Sequence, residues 1–365
     1  LNFMLIGVSE AHLGEIARLH LDRRAGTPYW IARDRAFGHD AAPDGPLAWA
    51  DFAARLGFRD LADQRAFERA TRTRPIEEFV PAARLAAGER LWAAQTGGTT
   101  GLPKHGTWGA AYWRDTLDFS DMMMDLHGVP RGVNWLFLGP MGPHTTGRLI
   151  IDFAERRGGR CFSVDLDPRI VKIFQGEGMA DAARRYVRHI FDQAAPILRH
   201  QRIGVLFCTS RLLDLIGEHL DPGLFQNVRA VLHAGTTMTW DAFQALRAGL
   251  FEGRPLVGIY GTSTTAISFQ KPDPDEDQAI VYVPSEPHVR LDPVDGSGQP
   301  VHAGQEGRMA TWRLTGDALI PGFWERDLAV RTPAYGRWAA RFPWDWVADP
   351  HSPEFTVEGR PEGVY

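Results

Sequence analysis

From about residue 90 the chain alternates short apolar runs with longer amphipathic stretches, and this rhythm restricts its possible folds more than any other feature. LWAA (91–94) precedes a helix-like stretch from 108 to 126, NWLFLG (134–139), a second helix-like stretch at 146–157 and RCFSVDL (160–166). A helix from about 180 to 200 and IGVLFC (203–208) follow, then LLDLIGEHL (212–220), VRAVLHAG (228–235), WDAFQALRAGL (240–250) and PLVGIY (255–260). Strand-length runs alternating with helical periods predict βαβ units, hence an α/β fold whose mostly parallel sheet carries helices on both faces. In such sheets ligands bind beyond the carboxyl ends of the strands, where the loops gather.

The flanking segments differ. Residues 1–90 read as an Ala- and Arg-rich part made of helices and loops, and the α/β part runs over 91–263. Beyond 264, AISFQ, AIVYVP, HVRLD and GRMATWRL are separated by Asp/Pro/Gly turns, which predicts an antiparallel β-rich subdomain over 264–358. A chain of 365 residues is long enough for a large core with two or three lobes.

Composition excludes several classes. Forty basic against 45 acidic side chains, a net charge of −5, offer no electrostatic reason for a nucleic-acid partner. No run approaches the roughly 20 apolar residues of a membrane span, and the opening LNFMLIGVSEAHLGE lacks the basic leader of an export signal. Two cysteines, Cys161 and Cys208, are too few for a disulfide framework or a zinc cluster, so a cytoplasmic location is expected. Only three of the 40 basic residues are lysines, namely Lys104, Lys172 and Lys271, which makes the position of each worth noting.

Three segments carry chemistry. Thr96-Gly97-Gly98-Thr99-Thr100-Gly101-Leu102-Pro103-Lys104 directly follows LWAAQ. Its small residues let the backbone approach an oxyanion, its hydroxyl and N–H groups donate, and Lys104 adds positive charge, as a phosphate-binding loop requires. It is not a Walker A loop, because Leu-Pro separates Gly101 from Lys104. Gly258-Ile259-Tyr260-Gly261-Thr262-Ser263-Thr264 forms a second loop, and Leu232-His233-Ala234-Gly235-Thr236-Thr237-Met238 a third, between strand and helix.

The first segment resembles the signature loop of the adenylate-forming superfamily: acyl-CoA synthetases, peptide-synthetase adenylation domains and luciferases. The likeness spans roughly residues 20–360 and is closest to phenylacetate-CoA ligase-like aryl-CoA ligases. The resemblance implies the large core of that fold. It also implies ATP-dependent conversion of a small carboxylic acid, aromatic or arylalkyl, into an acyl-adenylate with release of pyrophosphate. Transfer to a thiol would follow, on CoA or on the phosphopantetheine of an acyl carrier protein.

By the same resemblance, Thr96, Gly97, Gly98, Thr99, Thr100, Gly101 and Lys104 would hold the β- and γ-phosphates. Tyr260 would lie against adenine with Gly261 and Thr262 beside it, and Ser263 would meet the α-phosphate. Ala234, Gly235 and Thr236 would wall the adenine. Thr264 stands where the family has a Glu that helps to hold Mg²⁺. A hard cation prefers charged oxygen, so either metal affinity is weaker or another acid substitutes, and no metal ligand is assigned.

The ribose needs a carboxylate able to accept from two hydroxyls. Thr315-Gly316-Asp317 is the literal family string, whereas Glu306-Gly307-Arg308-Met309-Ala310 resembles the strand that in the family stands about twenty residues before the ribose acid; that resemblance implies Asp327 and leaves 315–317 as a turn, and Asp327 is preferred. Gly359-Arg360 matches the family's hinge, with Arg360 reaching ribose or phosphate. His144, in Pro143-His144-Thr145-Thr146-Gly147, corresponds to a histidine near the acyl pocket or to a helix-start residue. His127 and the acidic turn Asp273–Asp277 are expected on the surface.

Family members also carry a C-terminal lid with a catalytic lysine. The sequence offers no lysine after Lys271, and residues 359–365 read as the start of the hinge to an absent lid. A homodimer is left open, as are two rival readings: delivery of the acyl group to a carrier protein, amine or other nucleophile, and nucleotide or acyl binding without turnover.

Overall fold

The computed structural model describes residues 7–95, 103–262, 266–274 and 277–353. The strands are β1 (Leu91–Gln95), β2 (His105–Gly109), β3 (Asn134–Gly139), β4 (Cys161–Asp165), β5 (Ile203–Thr209), β6 (Ala230–Ala234) and β7 (Leu256–Thr262). They continue with β8 (Ala266–Gln270), β9 (Val281–Pro284), β10 (Val289–Val294), β11 (Glu306–Leu314), β12 (Leu319–Thr332) and β13 (Trp346–His351). Helices α1 (Glu10–Leu21), α2 (Pro28–Ala36), α3 (Trp49–Leu56), α4 (Leu61–Thr73) and α5 (Ala82–Ala86) precede the strands. Helices α6 (Ala110–Leu126), α7 (Thr145–Arg156), α8 (Pro168–Gly176), α9 (Ala180–His200), α10 (Ser210–His219) and α11 (Trp240–Ala248) alternate with them.

Helix starts follow local chemistry. Ser9, Asp60, Thr209 and Thr239 each accept a backbone N–H of the first turn of α1, α4, α10 and α11. The helix expected from 108 begins at Ala110, because His105–Gly109 pair with β1 as an antiparallel hairpin, the two-stranded sheet of the chain.

The other strands form one sheet in the order β10-β11-β12-β13-β9-β8-β7-β6-β5-β3-β4. The stretch from β7 to β4 is parallel, and its central strand β5 is buried at every residue because helices cover both faces. Strands β3 and β5 are neighbours although β4 lies between them in sequence, on the far side of β3. The chain therefore reverses its direction of travel across the sheet at β3/β5, the point where doubly wound sheets open a crevice beyond the strand ends.

The β-rich part is antiparallel as the turn spacing predicts, but it is not set apart. Strand β8 pairs with β7 from Thr262↔Ala266 to Ile259↔Phe269, so the sheet passes from parallel to antiparallel without a break. Large apolar side chains such as Trp135, Phe153, Phe207 and Trp346 fill the core around it, each contributing about 1.5–3 kcal/mol by leaving water.

A second cluster joins α1–α4 to the β11–β12 hairpin through Leu13, Trp30, Phe67, Trp312 and Phe323. Polar ties reinforce it: His20 reaches Thr27 Oγ1 at 2.7 Å and the Thr315 carbonyl at 2.8 Å, and Gln64 exchanges two hydrogen bonds with the Trp324 backbone. The N-terminal helices thereby fix the position of residues 323–325 on β12. Among the described residues no helix is long and apolar enough to cross a membrane.

Candidate functional site

A cleft with about 680 Å³ of empty space opens at the β3/β5 switch. Phe137 and Pro140 from the end of β3 and Phe207, Cys208 and Thr209 from the end of β5 line it, with Ala234 and Gly235 after β6. Strand β7 adds Ile259, Gly261 and Thr262, and the first turns of α7 add Thr145, Thr146, Leu149 and Ile150. Gly235 turns the chain out of β6 at φ +90°, a conformation that glycine adopts without strain. Mostly apolar walls with a few hydroxyls suit an uncharged organic group.

Tyr260, between two cleft residues on β7, donates its hydroxyl to Asp327 Oδ2 on β12 at 2.9 Å. Burial pushes the Asp327 carboxyl up from its ordinary range, and the Tyr260 hydrogen bond pulls it partly back. Burial first, and then the Asp327 charge, hold the Tyr260 phenol well above its ordinary value. Tyr260 is therefore the donor and Asp327 the acceptor at neutral pH.

Lys104 lies at the start of β2, with Nζ 3.6 Å from Glu68 Oε1 and 4.3 Å from the centroid of the Phe323 ring. It lines a second cavity, of about 500 Å³ of empty space, with Phe67, Phe79 and Phe323, and not the cleft at the switch. Glu325, one alternation along β12 from both Phe323 and Asp327, has its Oε1 shut off from water with no hydrogen-bond partner among the described residues. Burial raises its carboxyl to about 7; the Lys104 charge opposes that rise, and the Asp327 and Glu68 charges add to it. An ionised oxygen without a partner is costly there, so the position favours an arriving cation or donor.

Asp317 is differently placed. It sits in the turn between β11 and β12, accepts from the Gly109 N–H at 2.5 Å and forms an ion pair with Arg313 at 2.6 Å, both side chains being almost wholly buried. Its groups fasten β2 to the hairpin. The spacing argument that chose Asp327 picked the aspartate that stands beside Tyr260.

The remaining candidates scatter. Thr236 Oγ1 accepts from the Arg211 N–H at 2.9 Å, next to the cleft residues Ala234 and Gly235. His144 occupies the N-cap position of α7 and is buried, its imidazole held below the ordinary range by burial and then by the Arg169 charge. Its neighbours Thr145 and Thr146 line the cleft, whereas His144 does not. Gly258–Thr262, read as part of a loop, belong to β7. Thr96, Gly97, Gly98, Thr99, Thr100 and Gly101 lie outside the described residues, as do Ser263, Thr264, Gly359 and Arg360.

The expectation of a surface position is corrected for His127 and for Asp277, whereas the Asp273 side chain is partly exposed, as expected. His127 Nε2 donates to the Gln270 carbonyl, 2.7 Å away, and burial lowers its imidazole to about 4. In the acidic turn, Asp277 forms a buried ion pair with Lys271 at 3.2 Å and meets the Tyr335 hydroxyl, while Asp273 meets Arg337 and Trp338. These partners are Gln270 at the end of β8, Lys271 next to it and residues 335–338, so no local hydropathy could announce them.

Two side chains were missed. Glu325 was in view only as a neighbour of Asp327. Trp108 lines the cleft, and its Nε1 is buried without a hydrogen-bond partner among the described residues; a tryptophan on β2 carries no sequence signal of that kind. Among the described residues no group of three or more His, Cys, Asp or Glu could hold a metal ion.

No protein-family model and no curated protein matches the sequence. Solved structures do match. An open conformation of 2-hydroxyisobutyryl-CoA ligase, in complex with 2-HIB-AMP and CoA, superposes with a TM-score of 0.64 at 13% identity, over 95% of this chain and 75% of that one. The same ligase in its thioesterification state gives a TM-score of 0.61 at 13% identity, over 93% and 66%. In the postadenylation state with 2-HIB-AMP it gives 0.61 at 13% identity, over 96% and 69%. The chain thus shares the fold of this CoA ligase and spans about two thirds to three quarters of its length.

Proposed function

We propose that the chain is an adenylate-forming ligase that activates a small carboxylic acid with ATP and passes the acyl group to a thiol, that of CoA. One observation carries the proposal: Tyr260, near the end of β7 between the cleft residues Ile259 and Gly261, holds Asp327 of β12 in hydrogen-bond contact beside Ala234 and Gly235, in a fold shared with a ligase that binds an acyl-AMP and CoA.

The chemistry asks little acid–base work of the protein. A substrate carboxylate oxygen attacks the α-phosphorus, the bond to the β-phosphate oxygen breaks, and pyrophosphate leaves with the electron pair. A thiolate then attacks the acyl carbonyl and AMP departs. Rate comes from positioning and from charge stabilisation. Asp327 is assigned to the ribose hydroxyls, which requires the Tyr260 hydroxyl to yield its place as the ring meets adenine. Ala234, Gly235 and Thr236 border the base with Gly261 and Thr262; Thr96–Lys104 and Ser263 take the phosphates, and Arg360 ribose or phosphate.

The orphaned Oε1 of Glu325, near the Asp327 charge, would offer one protein oxygen to the divalent cation that accompanies a nucleoside triphosphate, the phosphates supplying others. Glu325 is accordingly assigned the part of the acid absent at Thr264. Such a cation would neutralise negative charge on the phosphates.

The acid is assigned to the aryl or arylalkyl class, because Trp108, Phe137 and Phe207 supply flat apolar walls. His144 is placed on the acyl side through its neighbours Thr145 and Thr146. ATP–pyrophosphate exchange with a panel of aromatic and aliphatic acids tests the proposal; an aromatic acid should stimulate exchange at least ten-fold. Exchange stimulated by no acid, with nucleotide still bound, would favour binding without turnover, the reading that Thr264 supports.

A further inference from the structure

At the opposite end of the parallel strands, about 20 Å from the cleft by strand length, lies a third concave site. Its walls are polar: Arg160, Arg202, Arg229, Asn134, Gln226 and Asn227, with no acidic side chain among them. Arg160 immediately precedes β4, Arg202 precedes β5 and Arg229 precedes β6, while Asn134 opens β3 between the first two. The register holds these starts level: Trp135 N–H donates to the Arg160 carbonyl at 2.8 Å, Asn134 Nδ2 to the Gln201 carbonyl at 3.0 Å, and Arg229 N–H to the Gly204 carbonyl at 2.7 Å.

Two features separate this row from an ordinary solvated face. None of these three forms an ion pair with a described residue, as Arg33 does with Asp63 and Arg157 with Asp121, and no acidic side chain lines the site to balance them. Like charges gathered without a counter-charge repel one another. Arg202 also holds φ +49°, in the left-handed region that costs a side-chain-bearing residue strain. A glycine or asparagine would be the easier choice for that turn.

We infer that this row is a binding site for a polyphosphate anion. Guanidinium groups bind phosphate oxygens in paired, planar hydrogen bonds. Neighbouring strands are about 4.8 Å apart, so the four strand starts span roughly 14 Å. One phosphate can meet only one end of that row, whereas a chain of two or three phosphates lets the long side chains of two or more arginines converge on it at once, with the Asn134, Gln226 and Asn227 amides available to the oxygens between. The phosphate chain comes either from an inorganic polyphosphate or from a nucleotide.

The test is calorimetric titration of inorganic tripolyphosphate and of ADP, at low salt, into the Lys104→Ala chain, which weakens the nucleotide loop as a competing site. Monophosphate serves as the third titrant. Tripolyphosphate should bind more tightly than monophosphate, and R160E/R229E should lose that binding at least ten-fold. Arg184→Glu, at a highly exposed helical position, should leave it unchanged. Stronger binding of ADP than of tripolyphosphate, lost in the same double variant, assigns the site to a nucleotide source. Arg160 and Arg229 are exposed, so the double variant should keep the parent's thermal midpoint and its nucleotide affinity in the Lys104 background. Equal binding of all three anions, or tripolyphosphate binding unaffected by R160E/R229E, overturns the inference.

Discussion

The Tyr260 hydroxyl donates to Asp327 Oδ2 at 2.9 Å, across 67 residues of sequence and between strands β7 and β12, which are not neighbours in the sheet. The contact draws the Tyr-Gly segment and the chosen ribose acid together and shields an otherwise costly buried carboxylate.

Asp327→Ala should therefore weaken ATP and AMP binding alike, by about 1.5–3 kcal/mol or roughly 10- to 100-fold in Kd, because a charge-assisted contact is lost. Fluorescence or calorimetric titration of both nucleotides checks this. Unchanged affinity for both would remove Asp327 from the site.

Asp317→Ala should act on stability instead. It leaves Arg313 buried without its carboxylate and the Gly109 N–H without its acceptor. The expected loss is about 3–5 kcal/mol in urea unfolding, with AMP affinity of the folded protein retained at low temperature. A chain as stable as the parent contradicts the structural role.

Glu325 makes stability and ligand binding oppose each other. Its carboxyl titrates at about 7 in the folded chain against the ordinary value of 4.5, so the stability it allows is complete below 4.5 and is lost as pH rises through 7. Glu325→Gln should be more stable than the parent at pH 8, by roughly 1–3 kcal/mol, and equal to it near pH 4.5. The same variant should bind ATP more weakly in the presence of Mg²⁺ than the parent does. Urea midpoints at the two pH values and a titration with and without Mg²⁺ are decisive; a variant no more stable at pH 8 contradicts the buried carboxylate.

Thr146→Trp would place a large ring in the mouth of the cleft from a half-buried position on α7. The KM for the acid should rise at least ten-fold while the Kd for ATP stays put. A proportional loss of both would mean that the cleft is not a separate acyl site.

Much of this was legible in the chain itself. Hydrophobic periodicity is a local property, so the alternation after residue 90 announced β3 to β7 with their helices, and Asp/Pro/Gly turns announced antiparallel strands beyond 264. The order of residues in Thr96–Lys104, and the family spacing that preferred Asp327 to Asp317, suggested the proposed nucleotide site, and the structure puts Asp327 beside Tyr260.

What depends on partners distant in sequence was not legible. Asp317 and Asp327 are chemically identical, yet one is clamped by Arg313 and Gly109 and the other by Tyr260. Lys271, which belongs to no motif, is buried against Asp277, and His127 is tied to a β8 carbonyl. The crossing of the chain at β3/β5, which opens the cleft, and the alignment of Arg160, Arg202 and Arg229 at the starts of β4, β5 and β6, follow from strand order. Local sequence determines which segments become strands, because periodicity and turn residues act within a few positions. Only long-range packing decides which strands become neighbours, and hence which side chains meet.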